Sequence, residues 1–164
     1  MAQFEWSDRP DPDEMRASFD AMLGLARQGR FREPEQGWTA EQVLAHVLST
    51  TELFTAVGEG VRRGEAPECG HPDVVDDELL ARRAAELGGV AGLADRLESA
   101  SADLVSCAGS LTDDQATTKV RFIVFHDGSQ IADEPRTFGS ILSGHAGFHL
   151  PLHIKQLQAL APGE

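Results

Sequence analysis

The stretch HAGFHLPLHIKQLQAL, residues 145–160, decides how this chain is read. His145, His149 and His153 recur at every fourth position, and Gln156 follows three residues after the last of them. Residues four apart on an α-helix lie almost one above the other, so the three imidazoles and the amide form one polar stripe. The flanking Phe138, Ile141, Leu142, Phe148, Leu152 and Leu160 mark that side as buried, which turns the histidines toward the core. Buried imidazoles need partners, either hydrogen-bonding groups or a cation.

Working outward, the spacing predicts three further helical patterns. Thr39 and Gln42 have the spacing of a capping box, opening a helix that continues to about Arg63. Val43, His46, Thr50, Leu53 and Val57 share its apolar face, so His46 also points inward. Ahead of it, Asp11-Pro12-Asp13-Glu14 supplies a cap, a proline suited to the first turn and a reciprocal carboxylate. Met15, Phe19, Met22 and Ala26 follow at helical spacing and Gly29 is a natural stop, giving a helix over about 12–28. A third pattern runs from about Asp76 to Ala108, with an interruption expected at Gly88-Gly89, where two glycines cost roughly 2 kcal/mol of helix propensity. The loop Gly64–Val75 carries Pro67, Gly70 and Pro72 and is read as irregular.

Before the last helix the period changes. Thr118–Phe125 is β-branched and aromatic, and His126-Asp127-Gly128 carries an Asp-Gly turn signal. A short hairpin is expected, with Ser129–Asp133 as the return strand, ended by Pro135; Thr137 or Ser140 then caps the last helix. The fold class predicted is all-α: a single domain over 1–164, built as a four-helix bundle with a small β-hairpin inserted before the last helix.

At 164 residues the chain buries enough core to fold without disulfides or a stapling metal, so any metal here serves function. The two cysteines, Cys69 and Cys107, are too few for a disulfide framework. With 27 acidic against 14 basic residues the net charge is -13, which disfavours nucleic acid and anionic lipid as partners. No run approaches the ~20 apolar residues of a membrane span, and MAQFEWSDRP has no basic flank leading into an apolar segment. These features predict a soluble cytoplasmic protein without a membrane partner.

His46 on the second helix facing His149 and His153 on the last makes a candidate metal site. Three neutral imidazoles leave a fourth tetrahedral position for water or substrate, the arrangement of catalytic rather than structural zinc. Gln156, one turn beyond His153, and His145, one turn before His149, are the candidate catalytic residues: Gln156 to hydrogen-bond a ligand histidine or a bound water, His145 to support a ligand or act as acid and base rather than as a fourth ligand.

The segment Gly37-Trp38-Thr39-Ala40-Glu41-Gln42-Val43-Leu44-Ala45-His46-Val47 resembles the second-helix signature of the DinB/YfiT-like metalloprotein superfamily. The segment His149-Leu150-Pro151-Leu152-His153-Ile154-Lys155-Gln156-Leu157 resembles that family's terminal motif, two histidines four apart followed by glutamine. With the helix order, the resemblance covers nearly the whole chain. It implies a divalent cation, zinc or nickel, on His46, His149 and His153, and a metal-dependent transferase that joins a low-molecular-weight thiol such as mycothiol or bacillithiol to a small-molecule electrophile. The scarcity of lysine, found only at Lys119 and Lys155, resembles the bias of GC-rich genomes and leans toward mycothiol. The chain departs from the family pattern at Pro151, which is expected to kink the helix with Gly147 easing the clash, and at Ile154-Lys155, where Arg-Gly is commoner.

Two other functions compete. A hydrolase would keep the metal to activate water and needs a general base, for which Glu52 is nearest in sequence. A non-catalytic bundle would hold a small ligand and form a homodimer, for which exposed apolar surface on the first helix would speak. Cys69-Gly70-His71 is read as a turn, His126 as a solvated turn residue and Trp38 as a buried anchor. Arg62-Arg63 and Arg82-Arg83 either attract an anionic thiol or pair with nearby carboxylates.

Overall fold

In the computed structural model, which describes residues 6–162, the first helix, α1, runs Pro12–Gln28. Asp11 accepts from the amides of Asp13 and Glu14, and Gly29 closes the helix in the left-handed conformation. The second, α2, spans Ala40–Arg62 with the capping box in place: Gln42 N–H donates to Thr39 Oγ1 at 3.2 Å and Thr39 N–H to Gln42 Oε1 at 2.9 Å. Met15, Phe19, Met22 and Ala26 are buried on α1, and Val43, His46, Thr50 and Val57 on α2, while Leu53 is half-buried.

The third pattern divides where the glycines stand. Gly88 has φ 92°, which ends α3 (Asp77–Leu87) and starts α4 (Gly89–Ser110) in a new direction. A further turn of helix, α5 (Asp113–Ala116), was not expected, although Thr112 and Gln115 form the same capping box as Thr39 and Gln42. The loop before α3 is also more ordered than its prolines implied. Pro72–Val75 form a 3₁₀ turn, and Cys69 bridges to Phe122 of the first strand.

That strand, β1 (Lys119–His126), turns through Asp127 and Gly128, both at positive φ, into β2 (Ser129–Thr137). The return strand continues past Asp133 and through Pro135, which the sequence reading made its end. Arg121 turns its backbone toward Cys69, whose N–H donates to Arg121 O at 2.7 Å while Ile123 N–H donates to Cys69 O at 3.0 Å. Its β2 partner, Pro135, therefore sits at a non-hydrogen-bonded pair on the outer strand, where the missing N–H leaves no ladder bond unmade.

The last helix, expected as one helix kinked at Pro151, is three segments: α6 (Phe138–Gly144), a π-helical turn (His145–His149) and α7 (Leu150–Leu160), with Thr137 as cap. Leu150 N–H donates to His145 O, one residue further back than in an α-helix. The wide turn relieves the clash between the Pro151 ring and the preceding turn, so the proline falls at the start of α7 instead of kinking a continuous helix. Phe148 and Leu152, expected inside, are 52% and 49% exposed. Each immediately precedes an inward histidine, so it lies about 100° round the axis, on the outer flank. Phe138, Ile141, Leu142 and Leu160 are buried as expected.

The molecule is thus mostly helical with one antiparallel hairpin before the last helical segments. Both α1 and α2 pack on α4, and α7 packs against α1 and α2. No described helix is long and apolar enough to cross a membrane. The large exposed hydrophobic residues among those described are Trp6, Ile131, Phe148 and Leu152, none of them on α1.

Candidate metal centre

Packing of α7 and the π turn against the start of α2 brings His46, His149 and His153 together, their candidate ligand atoms all within 4.8 Å of one another. His149 Nε2 lies 3.0 Å from His46 Nε2 and 3.0 Å from His153 Nε2. His46 and His153 are buried and His149 partly so.

The far ring nitrogens are all engaged. His46 Nδ1 donates to the Val74 carbonyl at 2.5 Å, and a carbonyl only accepts, so this ring's Nε2 is a bare lone pair. His153 Nδ1 donates to Gln156 Oε1 at 2.8 Å, which leaves its Nε2 bare as well. His149 Nδ1 lies 3.0 Å from His145 Nδ1. If His149 Nε2 is bare, all three nitrogens are lone pairs facing one another; if it carries a proton it gives it to only one of its two neighbours, leaving the other's lone pair without a donor. One divalent cation satisfies all three, with His149 donating from Nδ1 to His145 and His145 Nε2 facing Thr51 Oγ1 at 3.4 Å. Two imidazole nitrogens on a tetrahedral metal of zinc's size stand about 3.3 Å apart, close to the 3.0 Å of the two pairs that His149 makes. The donor set therefore fits a divalent transition-metal ion.

His145 and Gln156, the candidate catalytic residues, each meet the far nitrogen of a ligand ring. That contact fixes ring orientation and raises ligand basicity. Gln156→Leu is expected to weaken zinc binding by about 10- to 100-fold without loss of the fold. Competition with a chromogenic chelator measures it.

Three features of the site were not read from the sequence. The Val74 carbonyl comes from the 3₁₀ turn, and no residue type announces a backbone acceptor. Thr51 reaches His145 from the next turn of α2 beyond His46. Trp38, read only as a buried anchor, is half-buried and walls the site: its ring centroid lies 4.9 Å from that of His46 and 6.4 Å from that of His153. Its indole N–H donates to Asp77 Oδ1 at 2.6 Å, tying the wall to the start of α3.

The remaining candidates lie elsewhere. His71 is exposed and accepts from the Asp73 amide at 3.2 Å, as a turn residue does. Buried Cys69, its thiol pushed up to about 12 by desolvation, is not a nucleophile. His126 is exposed beside Asp127. Among the arginines, Arg83 pairs with Glu52, Arg63 with Glu65, and Arg62 donates to Ser110.

Electrostatics favour neutral rings, the form that binds metal. Burial, and then the nearness of His153, hold His46 down at about 4, with the Val74 bond opposing. Burial, followed by His46 and His153, holds His145 at about 3. His149 and His153 are likewise lowered, first by burial. In the unfolded chain these rings titrate near 6.5. Metal-free protein therefore keeps this contribution in full above pH 6.5 and loses it as the pH falls toward 4, because the unfolded state takes up protons that the folded state refuses. Urea denaturation of metal-free protein at stepped pH is expected to show a loss of up to about 1.4 kcal/mol per pH unit for each histidine involved. A stability independent of pH over that window would contradict the burial of these rings.

No family model matches the chain, and no curated protein or solved structure matches it.

Proposed function

We propose that this protein is a divalent-cation enzyme of the DinB/YfiT-like four-helix-bundle type, whose three-histidine site activates a small thiol for transfer to an electrophile. The observation that carries the metal reading is the convergence of three imidazole nitrogens, two of which, on His46 and His153, are left as bare lone pairs by their ring partners and both face the third. The arrangement of α1, α2, α4 and the segmented last helix supports the bundle reading.

His46, His149 and His153 would hold the cation. When bound, it supplies a positive charge that keeps a coordinating thiol deprotonated at neutral pH. The chain's own residues do the rest. Val74, His145 and Gln156 orient the ligand rings, and Trp38 closes one wall. Three ligands leave room for an incoming sulfur, and the low-molecular-weight thiol is of the mycothiol or bacillithiol kind.

Thiol transfer is favoured over hydrolysis by the placement of Glu52. The base that a hydrolase would need is held by Arg83, with Arg96 at 3.8 Å, on a different face of α2 from His46. The test is to offer zinc- or nickel-loaded protein a panel of bacterial thiols with a fluorogenic bimane electrophile. Thioether formation that a chelator abolishes is the expected result. Absence of coupling with every thiol, while ester substrates turn over, would replace this reading with the hydrolytic one.

A further inference from the structure

Among the described residues one buried side-chain polar atom has no hydrogen-bond partner, the hydroxyl oxygen of Thr50. The residue is 6% exposed. A helical threonine ordinarily satisfies its hydroxyl by bonding back to the carbonyl four residues earlier, as Thr55 does to Thr51 at 3.1 Å. Thr50 makes no such bond to His46. A hydroxyl buried without a partner is destabilising, whereas valine would fill almost the same volume free of that penalty.

Its position gives the unpaired group a purpose. Thr50 stands one turn after His46 on the same face of α2. On one side of it along the helix, His46 meets His149 at 3.0 Å. On the other, Thr51 lies 3.4 Å from His145 Nε2 and Phe54 packs on the His145 ring with centroids 4.9 Å apart. Thr50 is thus bracketed along α2 by residues that touch both members of the His145–His149 pair, which sets it on the side of the helix that faces the histidine cluster. The other polar groups placed there are taken: Val74 O and Gln156 Oε1 accept from ligand rings, and the Nε2 atoms are lone pairs. Of the side-chain hydroxyls on this stretch of α2, that of Thr50 is the buried one with no partner at all. Being neutral, it does not compete with the histidines for a cation, as a carboxylate would.

We propose that Thr50 is a ligand-binding residue, its hydroxyl donating a hydrogen bond to the thiolate sulfur of the small molecule held at the open position of the three-histidine site. This rests on the metal reading above. A donor aimed at a buried anion forms a charge-assisted bond, stronger than a neutral one, and that difference favours the ionised thiol over the neutral one.

The experiment loads wild type, Thr50→Val and Thr50→Ser with cobalt(II) and titrates each with 2-mercaptoethanol, following the sulfur-to-metal charge-transfer absorption. Thr50→Val is expected to take the same equivalent of cobalt but bind the thiolate about tenfold more weakly, with Thr50→Ser restoring affinity to within a few-fold. Metal-free Thr50→Val is expected to melt above metal-free wild type. Equal thiolate affinity in wild type and the valine variant would overturn this inference alone, as would a lower melting temperature for the metal-free variant. Failure of wild type to take up cobalt would overturn it together with the metal reading.

Discussion

His149→Ala is expected to cut zinc affinity on the order of 10²–10³-fold while the helical circular dichroism is unchanged. The size follows from a ligand's share, about a quarter of the roughly 10–16 kcal/mol seen for four-ligand zinc sites. His149 is the choice because its Nε2 is 3.0 Å from both other ligand atoms, so it sits at the centre of the cluster. The fold survives because most of the core is elsewhere: Met22, Leu44, Leu48, Leu97, Leu104 and Phe138 are essentially inaccessible to solvent. Removal of the ring also takes away an obligatorily neutral buried group, so the metal-free variant is expected to lose less stability than metal-free wild type as the pH falls from 6.5. Competition with a chelator, and denaturation of both metal-free proteins, check the two halves of the expectation. A variant that binds zinc as tightly as wild type would remove His149 from the site.

Metal removal is expected to have the second large effect. A cation that binds only the folded state stabilises it by about 4 kcal/mol at a thousand times its dissociation constant. For a chain of this size that corresponds to a rise in melting temperature of about 8–16 °C. The rise has a local origin. The ligands join the start of α2 to α7, and His46 holds the 3₁₀ turn through Val74, so the cation links three parts of the chain. Scanning calorimetry with zinc and with chelator measures the difference. The same scan on His149→Ala is expected to show little of it, whereas an equal rise in that variant would point to zinc binding elsewhere.

The parts of the fold legible in the sequence were those written in short, local codes. Thr39 with Gln42, Asp11 with Pro12, and Asp127-Gly128 each act within four residues, and each formed where its chemistry indicated. The same code at Thr112 and Gln115 went unread because α5 is four residues long and offers no periodicity beside it. What failed depended on distant partners. Pro135 is tolerated because Cys69, far away in the chain, takes the other edge of β1 and so decides which β2 positions carry ladder bonds. Phe148 and Leu152 were misplaced for a simpler reason: each stands one residue before an inward histidine, about 100° round the axis and so on the outer flank.

The site divides in the same way. The convergence of His46, His149 and His153, with His145 and Gln156 beside them, was legible because four of the five sit on one stretch at helical spacing and His46 lies in an apolar face. Val74 was not, since its side chain has no part in the bond to His46. Trp38 announced an anchor, and its second role as a wall follows only once α7 lies beside it. Thr50 read as an ordinary member of the apolar face, and its unpaired hydroxyl appears only in three dimensions.

The most direct test of the central claim is bound metal per chain, measured by elemental mass spectrometry on untagged protein equilibrated with excess zinc at neutral pH and then freed of unbound ion. The account predicts about one equivalent in wild type and almost none in His149→Ala. A wild-type protein that retains no metal would contradict it, leaving His46, His149 and His153 as buried rings that hydrogen-bond only to one another and their neighbours.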